Sequence, residues 1–128
     1  MPYDYVFDSY AWVEYFAGTA KGRKVKEYLQ SGHVVTPTIV IAELSNKYHR
    51  EGWKHWPEDL QFITAKTVVF DLTFKVAVEA GKFKNEIRRR HKDFGLADAI
   101  IYETAELLGA EVVTGDKHFK GLKRAILL

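Results

Sequence analysis

The stretch VVTGDKHF, residues 112–119, ends an apolar run on charged residues. Val112 and Val113 favour a buried strand, and Asp116 follows two residues after Thr114. An aspartate at this place can simply cap the turn that follows the strand. It can instead be one of several carboxylates that meet at one end of a sheet, and the rest of the chain decides between these.

Short apolar segments alternate with helix-like segments along the chain. Strands are predicted for five apolar runs, at residues 3–7, 33–36, 68–72, 111–115 and 124–128. Helices are predicted between them, at residues 10–17, 22–32, 37–52, about 57–67, 73–90 and 95–110. This alternation predicts an α/β fold with a mainly parallel central sheet that helices cover on both faces.

The ends of several helices are indicated by single residues. Ser9 is expected to cap the first helix, and Gly18 is expected to end it. Pro37 suits the first turn of the helix after the second strand, because its missing N–H needs no partner there. Gly32 and Gly52 are expected to close the second and third helices.

Size and composition limit the class of protein. A chain of 128 residues with 47% hydrophobic residues suits one domain spanning residues 1–128. The absence of cysteine excludes disulfides and thiolate metal sites. No apolar run approaches the roughly 20 residues of a membrane span, and the acidic and aromatic start does not resemble a signal peptide. We expect a soluble, cytoplasmic protein with no membrane partner.

Charge is unevenly distributed. The net charge of +2 is too small to indicate nucleic-acid binding by itself, but residues 82–92 hold seven Lys, Arg or His against one Glu. This run is either a solvated helix end whose cations complement the helix dipole or a phosphate-binding segment.

Four carboxylates are predicted at the same edge of the sheet. Asp8 and Asp116 each follow a strand, and the carboxyl ends of parallel strands meet at one edge. Glu43 lies two turns into its helix, between apolar positions on the helical wheel, and Asp98 lies in the first turn of its helix beside the apolar face. We therefore expect these four side chains to approach one another.

Each acid also has a simpler explanation. Asp8 and Asp116 can cap the elements that follow them, and Asp98 can complement a helix dipole. Glu43 can pair with Lys47, four residues later. The convergence of all four favours a different interpretation, because clustered anions repel one another unless a cation lies among them.

A hard divalent cation suits this donor set. Mg²⁺ prefers oxygen ligands, and it can activate a bound water and neutralise charge on a phosphate. The five histidines show no metal-ligand spacing, although His91 and His118 are candidate phosphate contacts.

Four stretches together resemble a known family. VFDSYAW, IAEL, LADAII and VVTGDKHF look like the signature stretches of PIN-domain ribonucleases, especially VapC-type toxins of toxin–antitoxin pairs, and their order and spacing match across nearly the whole chain. The resemblance implies a three-layer α/β/α sandwich and an endoribonuclease that depends on Mg²⁺ or Mn²⁺. It also implies a homodimer and an antitoxin partner that inhibits the enzyme.

The resemblance also implies roles for the acids. Asp8, Asp98 and Asp116 would hold one or two metal ions, and Glu43 would orient or deprotonate the attacking water. Ser9 and Thr114 map onto supporting polar positions of the family. The chain departs from many relatives at Gly95, where they carry a serine that can cap the helix, and Asp93 is a candidate auxiliary acid.

RNA contacts are predicted outside the acids. Arg88, Arg89 and Arg90 are candidate phosphate contacts, because the basic segment leads towards Asp98. Single-stranded or looped RNA is favoured, since splayed bases can stack on aromatic side chains, and Tyr10 and Trp12 are candidates. The aromatic cluster of Tyr48, Trp53 and Trp56 either packs locally or forms a surface for a dimer mate or an antitoxin.

Three alternatives remain open at this point. A housekeeping RNA-processing nuclease would share the fold and the acids. A phospho-receiver domain shares the alternating pattern, and Asp71 also follows a strand, but Asp8 lacks the acidic neighbour that such a domain needs. A catalytically silent module would bind RNA or protein, which the intact acid set argues against.

Overall fold

The computed structural model describes residues 3–128. Five strands are present in this range: β1 (Tyr5–Phe7), β2 (Val34–Pro37), β3 (Val68–Phe70), β4 (Glu111–Thr114) and β5 (Ala125–Leu127). The helices in this range are α1 (Ser9–Ala17), α2 (Ala20–Ser31), α3 (Thr38–Glu51), α4 (Trp56–Lys66), α5 (Phe74–Ile87) and α6 (Leu96–Leu108), with a 3₁₀ turn at Lys117–Phe119. Within residues 3–128, no helix combines the length and apolar character that crossing a membrane requires.

The strands form one sheet in the order β3-β2-β1-β4-β5, and every neighbouring pair is parallel. The predicted α/β class is confirmed, with a fully parallel sheet. Successive residues of a strand point to opposite faces, and Val6 and Phe7 in β1 are both fully buried, as are Val112 and Val113 in β4. Helices therefore cover both faces of the central strands.

Two predicted helix starts are wrong by one residue. The N-cap of α1 is Asp8, whose Oδ1 accepts a 2.8 Å hydrogen bond from the N–H of Ala11, and Ser9 is already helical. Both residues suit a cap, and the extended backbone of Asp8 decides between them. Pro37 ends β2 and precedes the helix, because its backbone is extended, with ψ of 147°.

Other boundaries follow the prediction closely, with one important exception. Gly18 and Gly52 end α1 and α3 in the left-handed conformation, each with φ of 69°. Helix α5, predicted to reach residue 90, ends at Ile87, and a turn follows in which Arg90 and His91 both donate their N–H groups to the carbonyl of Ile87. The second half of the basic segment, residues 88–92, therefore lies outside the helices, between α5 and α6.

The chain adds strands to the sheet first on one side of β1 and then on the other side. The chain passes from β1 to β2 on one side, and it later returns to β4 on the other side of β1. In open parallel sheets, such a switch point leaves a crevice beyond the carboxyl ends of the two strands, and ligands bind there. Asp8 follows β1 and Asp116 follows β4, so the topology places both acids at this crevice.

Candidate functional site

An open cleft of about 270 Å³ lies at the switch point. The four predicted acids all line it, although they come from widely separated parts of the chain. The lining residues are Asp8, Ser9, Tyr10, Val13, Glu14, Glu43, Lys47, Asp98, Ile101 and Asp116. The fold thus brings together in one cleft the four acids that were predicted at one edge of the sheet.

Asp8 is the most deeply buried of these acids, with 4% of its surface exposed. Burial raises the pKa of its carboxyl to about 7, and the nearby charges of Glu43 and Asp116 add to the rise. The Thr114 hydroxyl and the N–H of Ala11 oppose that rise by hydrogen bonding. Without a cation, Asp8 therefore holds its proton up to neutral pH.

Glu43 carries an oxygen with no compensating contact. Its Oε1 is buried and accepts no hydrogen bond from any residue in the described range. Burial raises the pKa of this carboxyl, the charges of Asp98 and Asp116 raise it further, and the Ser9 hydroxyl lowers it. Within residues 3–128, no ion pair joins Glu43 to Lys47, so the simpler explanation for this acid is wrong.

Asp98 and Asp116 lie close together at the rim of the cleft. Burial raises the pKa of Asp98, and the charge of Asp116 adds to the rise, while its hydrogen bond from the N–H of Gly95 and the nearby His118 lower it. The N–H of Asp116 donates to the Thr114 hydroxyl over 2.9 Å, so Thr114 supports both Asp8 and Asp116.

His118 also belongs to this cluster, although its place in the sequence predicted only a phosphate contact. Its Nδ1 lies 3.4 Å from Oδ1 of Asp116 and 3.9 Å from Oδ2 of Asp98. The potential ligand atoms of the three residues all lie within 4.8 Å of one another. The only signal in the sequence was its position two residues after Asp116, because the 3₁₀ turn folds the chain back on itself there.

The same acids both cap the starts of helical elements and line the cleft. Asp8 caps α1, Asp98 accepts the N–H at the start of α6, and Asp116 accepts the N–H of His118 at the start of the 3₁₀ turn. The starts of these elements therefore face the same cleft. Their unpaired N–H groups and the positive ends of the helix dipoles offset part of the repulsion between the acids.

The cleft fits a divalent cation with oxygen ligands. The unpartnered buried oxygen of Glu43 and the raised pKa values of Asp8 and Asp98 are electrostatic costs that a bound cation would offset. Oxygen donors suit Mg²⁺ and Mn²⁺, and the imidazole of His118 adds a donor that a transition metal accepts more readily.

A second pocket, of about 230 Å³, joins the basic segment to the same region. It is lined by Arg90, His91, Lys92, Asp93, Phe94, Lys117 and His118. His118 therefore approaches Asp98 and Asp116 and also lines the basic pocket. Arg88 and Arg89 are exposed but do not line this pocket, and Asp93 lies here, outside the acidic cleft.

The aromatic candidates differ in their surroundings. Trp12 is fully buried, and its indole N–H donates to the Thr36 hydroxyl over 3.2 Å, so it belongs to the core. Tyr10 is partly exposed and lines the acidic cleft. Tyr48 packs on Trp53 and Trp56 with ring centroids 5.1 and 5.0 Å apart, which confirms local packing for that cluster.

Comparisons with known proteins agree with this architecture. The toxin–antitoxin complex from Klebsiella pneumoniae contains a chain that is 19% identical over 96% of each chain, with a TM-score of 0.76. The VapBC2 structure from Rickettsia felis, bound to a DNA fragment from their promoter, gives 19% identity, coverage of 97% of this chain and 96% of that chain, and a TM-score of 0.71.

A third solved structure is the sarcin-ricin loop cleaving toxin VapC20 of Mycobacterium tuberculosis. It is 17% identical, covers 93% of this chain and 92% of its own chain, and has a TM-score of 0.69. None of the curated proteins matches the chain. The sequence profile of the PIN domain matches residues 5–125. The chain therefore belongs to the PIN domain family.

Proposed function

We propose that this protein is a Mg²⁺- or Mn²⁺-dependent endoribonuclease that hydrolyses RNA phosphodiester bonds and is the toxin of a toxin–antitoxin pair. The observation that carries the proposal is the buried, unpartnered Oε1 of Glu43 in a cleft with Asp8, Asp98 and Asp116. A cation and its bound water would satisfy that oxygen. Membership of the PIN family and the fold shared with a toxin that cleaves the sarcin-ricin loop support the choice of substrate.

The metal ion would be held by Asp8, Asp98 and Asp116. When bound, it supplies Lewis acidity, which lowers the pKa of a coordinated water and neutralises charge on the phosphate. Each of the three acids uses a side-chain oxygen to accept a backbone N–H, which fixes its orientation before the ion arrives. Ser9 and Thr114 hold Glu43 and Asp8 in place.

Glu43 is the residue that we assign to the attacking water. Its raised pKa makes it a stronger base than an ordinary carboxylate near neutral pH. Oε1 accepts a proton as the water oxygen forms a bond to phosphorus and one P–O ester bond breaks. The leaving oxygen takes a proton from solvent, so hydrolysis consumes one water and leaves a phosphate monoester and a hydroxyl.

The RNA backbone would approach along the basic pocket. Arg90, His91, Lys92 and Lys117 line that pocket beside the acidic cleft, and Arg88 and Arg89 precede it on the exposed turn. Cations along this route neutralise phosphates as the scissile bond reaches the cleft. A base freed from pairing can stack on Tyr10, which favours single-stranded or looped RNA over duplex.

Two protein partners accompany this proposal: an antitoxin and a second copy of the chain. Similar folds were solved in toxin–antitoxin complexes, including those from Klebsiella pneumoniae and Rickettsia felis. A housekeeping RNA-processing nuclease remains the second candidate, because it needs the same cleft. A small antitoxin gene beside the gene for this chain would favour the toxin.

Two other candidates receive less support. A phospho-receiver would need Asp71 in an acidic pocket, but Asp71 is exposed and does not line the acidic cleft. A module that binds without catalysis leaves the orphan oxygen of Glu43 and the raised pKa of Asp8 without a purpose.

The test is cleavage of structured and single-stranded RNA by the purified, antitoxin-free protein in Mg²⁺, in Mn²⁺ and in EDTA. The Asp98→Asn variant is compared with the native chain and with Asp71→Asn, a matched control at an exposed acid that lines neither the acidic cleft nor the basic pocket. We expect metal-dependent cleavage that falls by at least about 100-fold in Asp98→Asn and persists in Asp71→Asn.

Metal binding is measured separately by calorimetry with Mn²⁺. Absence of both cleavage and Mn²⁺ binding in folded protein would overturn the proposal. Binding of Mn²⁺ that requires Asp98, without cleavage of any RNA, would retain the metal site and reject the nuclease assignment for the RNAs tested.

A further inference from the structure

A pocket with aromatic walls, of about 220 Å³, adjoins the acidic cleft at helix α1. Val13 lines both the cleft and this aromatic pocket, so the two meet at its side chain. The basic pocket adjoins Asp98 and Asp116 instead, through His118. Besides Val13, the aromatic pocket is lined by Phe16, Ala17, Tyr48, Trp53, His55 and Asp59.

The walls of the aromatic pocket suit one flat ring. Trp53 packs on Tyr48 with ring centroids 5.1 Å apart, yet 42% of its surface is exposed. The indole is therefore held in place while part of it stays open to water. Nucleobases stack on aromatic side chains of this kind. The volume is below the roughly 300–1,000 Å³ of pockets for drug-sized ligands, which suits a single base.

Asp59 is the only acid that lines the aromatic pocket. Its Oδ2 accepts a 2.6 Å hydrogen bond from the Tyr48 hydroxyl, whereas Oδ1 accepts none from residues 3–128. Burial raises the pKa of Tyr48, and the hydrogen bond to Asp59 and the charge of Asp59 raise it further, so this hydroxyl stays a donor. A carboxylate has about four acceptor sites, so Asp59 is oriented and can still accept a pair of hydrogen bonds.

A pair of adjacent donors identifies one RNA base. Guanine carries N1–H and a 2-amino group side by side on its Watson–Crick edge, and the other three bases place an acceptor beside each donor. Two parallel hydrogen bonds to a carboxylate are charge-assisted and geometrically specific. Bases in single strands and loops expose this edge to a protein. The chemistry at Asp59 therefore matches guanine.

Lys47 supplies a positive charge between the cleft and the aromatic pocket. It lines the cleft, and its Nζ lies 5.9 Å from the centroid of the Trp53 ring. Among residues 3–128, no acid forms an ion pair with Lys47. A cation at this place complements the phosphate that joins a nucleotide in the cleft to a base in the pocket. An apolar peptide in the pocket would leave that charge without a counter-charge.

We propose that the aromatic pocket is a nucleobase subsite that selects guanine next to the scissile phosphate of the RNA. Trp53 stacks on the base, and Asp59 accepts hydrogen bonds from N1–H and from the 2-amino group. The inference rests on the proposed nuclease function and adds sequence specificity to it. No residue assigned to the metal ion or to the attacking water lines this pocket.

Binding is tested by NMR titration of the isotope-labelled native chain with guanosine 5′-monophosphate (GMP) and inosine 5′-monophosphate (IMP). The two nucleotides differ only in the 2-amino group, which IMP lacks. We expect GMP to shift the indole N–H signal of Trp53, and IMP to bind about 5- to 150-fold more weakly because the paired hydrogen bonds are lost. The titration is done in EDTA, so it does not depend on metal or on cleavage.

Two variants separate recognition of the edge from stacking. Asp59→Asn keeps an oxygen for the Tyr48 hydroxyl and should bind GMP and IMP equally, since its amide cannot accept both donors. Glu58→Gln is its matched control, at a neighbouring exposed acid outside the pocket. Trp53→Ala should weaken both nucleotides by about 5- to 150-fold, and Phe74→Ala, at an exposed ring elsewhere, should weaken neither. Circular dichroism checks that each variant is folded.

A preference for GMP over IMP that Asp59→Asn abolishes and Glu58→Gln retains supports the proposal. Equal binding of both nucleotides by the native chain, a preference that survives in Asp59→Asn, or shifts confined to the basic pocket overturns it. Absence of binding up to about 10 mM nucleotide also overturns it and assigns the aromatic walls to a protein partner. Cleavage of RNA without binding of GMP would reject the subsite alone, and binding of GMP without cleavage would reject the nuclease assignment alone.

Discussion

Oδ1 of Asp8 accepts a 2.8 Å hydrogen bond from the N–H of Ala11, so one carboxylate both caps α1 and enters the acidic cleft. The cap holds the group in place, and burial raises its pKa to about 7. The two effects oppose each other, and the cleft therefore stores unfavourable electrostatic free energy when no cation is bound. Substitutions of Asp8 can therefore distinguish the contribution of the helix cap to stability from the contribution of the buried charge.

The metal-free protein should lose stability as the pH rises from about 4 to about 7. The unfolded chain releases the proton of Asp8 near its ordinary pKa of 3.8, whereas the folded chain holds it to about 7. The unfolded state thus binds fewer protons in this window, and the free energy of unfolding falls until it levels above about pH 7.

Asp8→Asn should remove most of this loss while keeping an oxygen to cap α1. In EDTA we expect the variant to be more stable than the native chain by about 4 kcal/mol near pH 8 and nearly equal to it near pH 4, because the pKa of Asp8 rises from 3.8 to about 7 on folding. Urea unfolding at both pH values measures the difference. Asp8→Ala is the control, because it loses the cap at both pH values. An advantage of Asp8→Asn that did not change with pH would contradict the electrostatic account.

Metal ions should stabilise the folded protein through the same cluster. Mn²⁺ or Mg²⁺ at 100 times its dissociation constant should raise the free energy of unfolding by about 2.7 kcal/mol. Asp116→Asn should abolish most of this gain, and Asp93→Asn should retain it. Thermal unfolding with and without EDTA reports the effect independently of cleavage. An equal gain in Asp116→Asn would place the ion elsewhere.

His118 should affect one metal more than the other. Its Nδ1 lies 3.4 Å from Oδ1 of Asp116, and imidazole nitrogen suits Mn²⁺ better than Mg²⁺. His118→Asn should weaken Mn²⁺ binding by about 10-fold and Mg²⁺ binding by less. Calorimetric titration with each ion measures both constants, and His91→Asn serves as control because His91 lies in the basic pocket only. Equal losses for both ions would mean that His118 acts through Asp116 and not as a ligand.

Much of the site was predictable because the parallel topology itself positions the acids. Asp8 and Asp116 end neighbouring strands, Asp98 opens a helix, and the helical wheel placed Glu43 beside an apolar face. His118 was not predictable, since spacing along the chain does not show that a 3₁₀ turn returns its ring to Asp116. The positions of the four acids were predictable because regular strands and helices hold them, whereas the position of His118 depends on an irregular turn.

Other features depended on tertiary context in the same way. Ser9 and Asp8 both suit a helix cap, and only the backbone angles choose Asp8. The end of α5 at Ile87 separates Arg90 from Arg88 and Arg89, because the turn carries only Arg90 into the basic pocket. The order of strands in the sheet was also not predictable, because a single sequence carries no direct signal for which strands pair with each other.

Gly22 should tolerate no side chain. A Cβ there would overlap the carbonyl of Glu14, with the carbonyl carbon 2.7 Å away and Cα of Tyr15 at 3.1 Å, because α1 and α2 approach closely at this point. Backbone atoms cannot turn aside, so Gly22→Ala should lower the free energy of unfolding by about 2–3 kcal/mol. Urea unfolding measures it.

Gly81→Ala is the matched control for Gly22→Ala, since Gly81 is also helical but has open space around it. In dilute, monomeric protein it should raise stability by up to about 1 kcal/mol through helix propensity. If Gly22→Ala were as stable as Gly81→Ala, the close approach of α1 and α2 would not be what requires glycine at position 22.

Gly115 should control RNA binding through Tyr10. The ring of Tyr10 lies over Gly115, so that a Cβ there would meet the ring, with Cζ 2.8 Å away. Gly115→Ala should therefore push the ring away from the end of β4 and out of its place in the cleft. Because stacking of one base contributes about 1–3 kcal/mol, RNA affinity should fall by roughly 5- to 150-fold. Fluorescence anisotropy with labelled RNA in the Asp98→Asn background measures binding without cleavage.

Two further variants distinguish the effect of the Tyr10 ring on RNA binding from the effect of the backbone at Gly115. Tyr10→Ala should weaken RNA binding as much as Gly115→Ala does, and combining the two should add little, because both remove the same stacking surface. Tyr10→Phe keeps the ring and loses only the hydroxyl, which accepts a 3.3 Å hydrogen bond from Lys21, so it should bind nearly as well as the native chain. If Tyr10→Ala bound RNA normally while Gly115→Ala did not, the effect would come from the backbone beside Asp116, and Tyr10 would be a structural lid on the strand end with no part in recognising RNA.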